Sequence, residues 1–477
     1  MLSDFKRSRD NYINASNISI LDKDYALYQQ SKCSGFLSDY ESQEKLLLSI
    51  TREFGNSIYK IRSFIDLANL YKSIKRYDRA LEYYDTILLN AKNIDIISST
   101  KFNKSLIYLN QGKVQESVNI MKDVILNYPN TRAFNESKIL IKDAYIKLGN
   151  AEKYIEFVSS IPDINLTQAY KDSITFQVAL NNYKQEEYSK SIKNLEKYID
   201  NFGDKAIFID EANFYLAESY WNINDTANAI ISYKKVIGYS SIDHLEISLL
   251  KLARVYYEDQ DFVSSNIYYQ RIDTMASGND LKRESIIRLM LGYETRDISL
   301  AVNYADRVLL LQKNDNRIIA RAKIIIARSD FDQGNYGRAA KLCDDIVKIT
   351  MNKDGTEAMY MKAYFMYLEE RYQETEDLIF LMADQYSSNH WIAKSFILLA
   401  DVYMKLDNYY QAKATLESVI ENHDGEDVIN QARLKWQEIV DQESQKFDNK
   451  QSDPIIEIND FEYEINYDML EIEDNDE

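Results

Sequence analysis

The chain has 477 residues, of which 45% are hydrophobic and 28% are charged, so it contains ample material for a folded core. It has only 12 Gly and 3 Pro, fewer than the turns of a large β-sandwich or barrel require, and this favours an all-α protein. The net charge of −19 opposes nucleic-acid phosphates or an anionic membrane surface as the main ligand. We therefore expect neither nucleic-acid binding nor direct membrane insertion.

The first residues of the chain, 1–23, form a short lead-in. They alternate polar and apolar side chains without the run of about 7–15 apolar residues that a secretory signal needs. No stretch of the sequence approaches the ~20 apolar residues of a membrane-spanning helix. The sequence as given is expected to be cytoplasmic, and periplasmic or envelope-associated if its N-terminus is incomplete.

Residues 24–425 repeat one sequence pattern, in which an apolar–small–x–x–aromatic run is followed by a short polar turn and then by aromatic–x–x–small. The pattern occurs over 67–80 and is clearest over 399–412. We take the small residue of the second half as the register residue. It recurs at intervals of 34 to 38 residues, at Leu46, Ala80, Ser117, Tyr154, Ser191, Ala229, Ser265, Ala301, Ala339, Thr375 and Ala412.

Within each copy the apolar residues recur at the i, i+3, i+4 and i+7 spacing of an amphipathic helix. A single pair of such helices cannot bury its own apolar face, but stacked neighbours create a continuous core. The sequence therefore predicts an all-α, right-handed superhelical solenoid of about eleven helical hairpins.

The pattern resembles the tetratricopeptide repeat family. That family has small residues at the eighth and twentieth positions and aromatic residues at the eleventh and twenty-fourth, which Ala217, Ala229, Tyr220 and Tyr233 match. The resemblance covers roughly residues 24–422 and implies a scaffold for protein–protein interaction. The period exceeds the family's usual one by two to four residues, and the loops between repeats are similar to those of long bacterial envelope members. Three copies depart from the pattern, at Tyr154, Gly292 and Thr375.

Catalytic and metal-binding motifs are lacking in the sequence. Cys33 and Cys343 lie 310 residues apart, and the three histidines lie far from one another near repeat boundaries. We find no glycine-rich phosphate loop, no His-x-x-x-His pair and no nucleophile elbow. No catalytic, cofactor or metal site is predicted, and the protein is expected not to be an enzyme.

One set of residues is a candidate partner-binding surface. An aromatic side chain follows the aromatic position of the first helix in six consecutive repeats, at Tyr183, Trp221, Tyr257, Tyr293, Phe331 and Tyr367. In similar proteins this position faces the concave surface, so the resemblance implies a ladder of rings along a groove. Packing between neighbouring hairpins is the alternative interpretation. Arg254 and Arg328, with Arg321, are expected beside the same groove, where they would pair with acidic groups of a partner.

Two segments follow the last repeat. Residues 426–447 are predicted to form an amphipathic helix that caps the final hairpin. Residues 448–477 contain twelve Asp/Glu and one Lys, which makes −11, and they alternate acids with apolar residues, so they are predicted to be a disordered acidic tail. Such a tail either only solubilises the protein or contains a linear motif, over 455–470, that competes with the partner near Arg254 and Arg328.

The predicted function is a non-enzymatic scaffold that binds peptide or protein segments in the concave groove. The alternative is a structural or assembly component of the bacterial cell envelope that contacts its partners through the convex face. The identity of the partner is not encoded in any motif that we find.

Overall fold

A computed structural model describes residues 2–18, 22–162, 164–238, 244–276, 278–311 and 315–451. In these residues the chain forms 24 α-helices and one short 3-10 helix, and the described part contains no β-strand. The all-α prediction is therefore confirmed. Of the helices described, not one combines the length and the apolar character that a membrane crossing requires.

The helices alternate between the first and second members of a hairpin. Their bounds are α1 (Leu2–Ile18), α2 (Lys23–Phe36), α3 (Tyr40–Glu53), α4 (Lys60–Ser73), α5 (Tyr77–Asn90), α6 (Ile94–Asn110), α7 (Val114–Asn127), α8 (Arg132–Lys147), α9 (Ala151–Ser159), α10 (Gln168–Lys184), α11 (Tyr188–Phe202), α12 (Ile209–Asn222), α13 (Thr226–Val236), α14 (Leu245–Glu258), α15 (Phe262–Met275), α16 (Asn279–Tyr293), α17 (Ile298–Leu310), α18 (Asn316–Asp332), α19 (Tyr336–Ile349), α20 (Lys353–Leu368), α21 (Tyr372–Gln385), α22 (Asn389–Lys405), α23 (Tyr409–Asn422) and α24 (Glu426–Gln451). From α2 to α23 they pair into eleven hairpins in the described residues, with even-numbered first helices and odd-numbered second helices.

The fourth residue of the second helix lies at the contact between the two helices of a hairpin. In α5 to α23 this residue is the predicted register residue. Its exposure is 0% in nine of these ten helices and 5% at Tyr154. Where it is serine, its hydroxyl donates a hydrogen bond to a carbonyl of the first helix, as Ser117 does to Ser105 at 2.8 Å and Ser265 does to Ala253 at 2.9 Å. A small side chain here lets the two backbones come together.

The register of the first hairpin differs from the prediction, which placed it at Leu46. Helix α3 begins at Tyr40, so its fourth residue is Gln43, and the interval to Ala80 becomes 37 residues. Leu47, four residues after Gln43, is fully buried. The register position is occupied here by a polar residue, Gln43, instead of a small one. The sequence pattern therefore placed the register residue three positions too late, at Leu46.

A left-handed backbone residue turns the chain between the helices of almost every hairpin. It lies five residues before the register residue and has a φ between 58° and 76°. The residues are Ser38, Lys75, Gly112, Gly149, Glu186, Asn224, Gln260, Gly334, Glu370 and Asp407. Only three of these ten are glycine, the residue that adopts this conformation without steric cost. The α16–α17 hairpin is the exception among those described, because its turn contains no residue with positive φ.

The three copies that depart from the sequence pattern fold in different ways. Thr375 packs like the other small residues, with 0% exposure, and its hydroxyl donates to the carbonyl of Arg371 at 2.9 Å. Tyr154 lies in α9, which at 9 residues is the shortest second helix of those described. Gly292 is buried against Asn266, whose side-chain oxygen would lie 2.3 Å from an added Cβ. A larger residue at position 292 would displace that asparagine.

The chain divides into two compact units, Met1–Leu252 (unit 1) and Ala253–Glu477 (unit 2). In each unit, successive first helices touch one another, as α6 touches α8 and α8 touches α10 in unit 1, and α18 touches α20 and α20 touches α22 in unit 2. The described second helices have no comparably extensive contact with one another. Each unit therefore presents a tightly packed side, which we call the first-helix face, and a more open side, the second-helix face.

The predicted capping helix, residues 426–447, lies in α24, which packs against both α22 and α23. Its Val428 and Ala432 are fully buried in the same apolar cluster as Leu416 and Val402. From residue 452 onward the predicted acidic tail lies outside the described residues.

Replacing Lys75 with glycine is expected to stabilise the protein by about 0.5–1 kcal/mol. A non-glycine residue in the left-handed region costs about 1–2 kcal/mol, and the extra freedom of glycine in the unfolded chain offsets part of that gain. The urea midpoint of unfolding measures the effect. Lys75→Ala, which removes the same exposed side chain but keeps Cβ, is the matched control and should not stabilise. Equal shifts for both variants would contradict the strain argument.

Candidate functional site

The six residues of the predicted aromatic ladder are all half-buried and lie at the C-terminal ends of their first helices. In four hairpins the ring packs on the first side chain of the following second helix. The ring centroids are 5.8 Å apart for Tyr183 and Tyr188, 5.2 Å for Tyr257 and Phe262, 5.6 Å for Phe331 and Tyr336, and 6.0 Å for Tyr367 and Tyr372. Each of these rings therefore covers the turn of its own hairpin.

Most of the ladder rings also contact the next first helix. The pairs are Tyr183 with Tyr215 (4.9 Å between centroids), Trp221 with the Lys251 ammonium (4.2 Å), Tyr257 with the Arg288 guanidinium (4.3 Å) and Phe331 with Tyr364 (5.2 Å). Burial raises the pKa of Tyr183 to about 12 and raises those of Tyr293 and Tyr367 as well. The rings thus connect neighbouring hairpins and leave one edge exposed, and their use in partner binding stays a prediction.

Tyr293 occupies a different structural position from the other five. Its ring stacks on Tyr304 (5.9 Å), as Tyr256 stacks on Tyr268 (5.8 Å) inside the preceding hairpin. Tyr293 lies eight residues before its register residue, whereas Tyr256 lies nine before its own. The α16–α17 hairpin is therefore one residue shorter, and Glu294 stands where the neighbouring hairpins have the ladder ring.

Arg254 and Arg328, which were expected to pair with acidic groups of a partner, form ion pairs within the chain. Arg254 makes a bidentate ion pair with Glu284 of the next first helix, at 2.8 and 2.6 Å. Arg328 pairs in the same way with Glu357 of the next first helix. The two residues of each pair are 29–30 positions apart in the sequence, slightly less than one repeat. An Arg–Glu spacing of this length was the sequence signal that could have predicted these pairs.

Around Arg328 the ion pairs join into a network on the first-helix face of unit 2. Glu294 accepts from Arg328 at 2.6 Å and from Arg321 at 2.7 Å, and Arg321 also donates to Asp354 at 2.6 Å. The three carboxylates are nearly inaccessible, with side-chain exposures of 8% for Glu294, 9% for Asp354 and 0% for Glu357. Burial disfavours the charged guanidinium, but the carboxylates of Glu357 and Glu294 hold the pKa of Arg328 above its ordinary value. The network stabilises contacts between three successive first helices.

A cleft of about 730 Å³ opens on the first-helix face of unit 2, between α14, α16 and the start of α18. Tyr257 and Arg288 lie side by side in it, and Ile287 and Leu291 add apolar surface. Among the described residues no carboxylate lies within ion-pair distance of Arg288, whereas Arg254 at the same cleft is held by Glu284. The cleft therefore offers an aromatic ring, aliphatic side chains and one cation available to an incoming carboxylate.

Groups for covalent or metal chemistry do not converge in the described part of the chain. No set of three His, Cys, Asp or Glu side chains there is arranged to hold a metal ion. Cys33 and Cys343 are buried free thiols, and burial raises the pKa of Cys343 to about 12, which suppresses its thiolate. The chemistry that the first-helix face offers is recognition by shape, apolar contact and charge.

Comparison with known proteins identifies the repeat. Models described as tetratricopeptide repeat match residues 63–93, 101–131, 211–239 and 393–422. No curated protein matches the chain. Each of the four segments falls on one hairpin of the structure, from α4–α5 to α22–α23.

Several solved structures are similar to the chain at low identity. A tetratricopeptide repeat protein from Parabacteroides merdae is 15% identical, with a TM-score of 0.28 over 55% of this chain and 96% of its own. The TPR domain of P58(IPK) is 13% identical, with a TM-score of 0.24 over 88% of this chain and 99% of its own. Yeast Tom70 is 13% identical, with a TM-score of 0.31 over 88% of this chain and 96% of its own.

Glu357→Ala is expected to lower the free energy of unfolding by about 3 kcal/mol, because it leaves Arg328 partly buried with one carboxylate fewer. Chemical denaturation monitored by circular dichroism measures the loss. Glu369→Ala, which removes an exposed partner of Arg371, is the control and should change stability by less than about 0.5 kcal/mol. Similar losses in the two variants would show that the network does not stabilise unit 2.

The Arg254–Glu284 pair is expected to make stability depend on pH. Hydrogen bonding from Arg254 holds the pKa of Glu284 below its ordinary value, so its contribution is present above about pH 4.5 and is lost as the pH falls through the lowered pKa. Wild type should exceed Glu284→Gln in stability near neutral pH, by about 1 kcal/mol, and the two should converge in acid. A difference that grew toward low pH would contradict this assignment.

Proposed function

Since the chain is a tetratricopeptide-repeat protein, we propose that it is a non-enzymatic scaffold that binds a segment of another protein on its first-helix face. The cleft between α14, α16 and α18 carries the proposal. It combines the exposed edge of Tyr257, the guanidinium of Arg288 and apolar side chains of α16 in one concave surface. An aromatic anchor beside a cation is the arrangement that concentrates binding energy at protein interfaces.

The chemistry of the cleft selects the kind of segment that binds. Ile287 and Leu291 favour an apolar side chain, and Arg288 favours a carboxylate next to it. Arg254 is already neutralised by Glu284, so a second carboxylate has to compete with that internal pair. We therefore expect a short segment that carries an aliphatic or aromatic residue adjacent to one Asp or Glu.

The ladder rings contribute to this function by holding neighbouring first helices in their positions on the first-helix face. Tyr257 contacts both its own hairpin and Arg288 of the next first helix. A partner that binds at this ring touches two repeats at once, so the spacing of the repeats becomes part of what is recognised. A structural or assembly role in the bacterial cell envelope, with partners contacted through the convex face, stays the competing prediction.

The test uses peptides selected on the wild-type chain from a random peptide display library. We expect the selected peptides to be enriched in an apolar residue next to Asp or Glu. Their affinity, measured by fluorescence anisotropy, should fall about tenfold or more for Tyr257→Ala and for Arg288→Glu. Arg288→Glu keeps the ring in place, so it separates lost charge recognition from disturbed packing.

Tyr410→Ala and Arg338→Ala are the matched controls, because both residues are exposed and lie on second helices of unit 2. They should bind the selected peptides as wild type does. If the controls lose affinity while Tyr257→Ala and Arg288→Glu retain it, the second-helix face is the binding surface and the proposal is wrong. Melting temperatures of all four variants verify that each one is folded.

A further inference from the structure

The second-helix face of unit 1 contains an open cleft at its shortest second helix. Helix α9 has 9 residues, whereas α7 before it has 14 and α11 after it has 15. A cleft of about 620 Å³ lies beside α9, with the first half of α9 and α11 as its walls and α10 as its floor.

The lining of this cleft is basic in a chain that is strongly acidic. Four lysines line it, Lys171, Lys190, Lys193 and Lys197, against one acid, Glu152, so the lining carries a net charge of +3. Glu152 pairs with Lys197 at 2.5 Å, and Lys190 pairs with Glu187 at 2.7 Å. In the described residues no carboxylate lies within ion-pair distance of Lys171 or Lys193. Two ammonium groups are therefore available at the floor and one wall of the cleft.

Apolar and amide groups complete the surface between these lysines. Ile155 on the α9 wall is half-buried and supplies apolar contact, whereas Val178 lies buried beneath the floor. Asn182 is buried and accepts a hydrogen bond from Asn194 at 2.8 Å, which fixes both amides along the cleft. The cleft is thus suited to a segment in which acidic side chains alternate with apolar ones.

The chain itself contains such a segment. Residues 452–477 include eleven Asp/Glu and no Lys or Arg, and they interleave these acids with Ile, Phe, Tyr, Met and Leu. On the first-helix face Arg254 and Arg328 are paired with Glu284 and Glu357, and Arg288 offers a single cation to an acidic segment, against two in the lysine cleft. We propose that residues 452–477 dock in the lysine cleft of unit 1.

Charge complementarity drives this contact, and solvent-exposed lysines make it sensitive to salt. At an ionic strength of about 0.15 M the attraction is screened beyond ~8 Å, so the acidic segment has to enter the cleft to gain from it. The apolar side chains of the segment then cover Ile155. This contact is distinct from partner binding at the first-helix face, because it uses other helices and the opposite side of the repeats.

The experiment uses the full chain with the eleven carboxylates of the tail changed to amides, so that the cleft is free, and a fluorescent peptide of residues 452–477 as the probe. The peptide should bind this chain at low salt, and Lys171→Glu with Lys193→Glu should weaken the binding at least tenfold. The arginine pair, Lys171→Arg with Lys193→Arg, should keep it. The matched control, Lys23→Glu with Lys92→Glu, changes net charge equally at exposed lysines of unit 1 away from the cleft and should bind as the parent does.

In the unmodified full chain, a carbodiimide should cross-link carboxylates of 453–477 to Lys171 or Lys193, and high salt should remove these links. Equal weakening in the cleft and control variants would overturn the proposal, because it would show only a response to net charge. An unrelated peptide of the same charge that binds as tightly would overturn the assignment of the tail as the occupant. Cross-links found only at lysines outside the cleft would overturn it as well.

Discussion

The close approach of two helices at one small side chain is the constraint on which the structure depends. At the fourth residue of nine second helices the side chain is fully buried, and three of these residues are serines that also bond a first-helix carbonyl. This contact sets how far each hairpin opens, and the opening sets where the next first helix packs. The side chain four residues after the register residue, such as Tyr84 or Leu195, is also buried. These side chains complete a core that continues from one hairpin to the next.

The regular pattern is broken in the α16–α17 hairpin and at α9. The α16–α17 hairpin is one residue shorter than its neighbours, and this brings Glu294 rather than a ring against Arg321 and Arg328. In α9 the second helix is shortened, and the cleft with its lysines opens beside it. The cleft beside α9 has a net positive lining in an acidic chain, and at the α16–α17 hairpin a buried carboxylate takes the place of the ladder ring.

Much of the fold could be predicted from the sequence, because each hairpin repeats the same contacts at the same spacing. The register residue was correct in α5 to α23 and wrong only at α3, where Gln43 replaces a small side chain. The site was harder to predict, since the sequence shows which residues share a position but not what they touch. Counting residues placed Tyr293 in the ladder, but a turn without a left-handed residue shifts it by one position. The carboxylates that pair with Arg254 and Arg328 belong to the next repeat, so the sequence pattern within one hairpin does not predict these ion pairs.

Hydrogen exchange of an Ala412→Leu variant tests the central constraint most directly. Ala412 is the fully buried register residue of α23, and Ala414, two residues later, is exposed on the same helix. Leucine at 412 has to separate α22 from α23, so amide protection should fall in both helices and in α24, which packs on them. Ala414→Leu should leave protection unchanged. Equal protection in the two variants would contradict the claim that this small side chain determines how the hairpin closes.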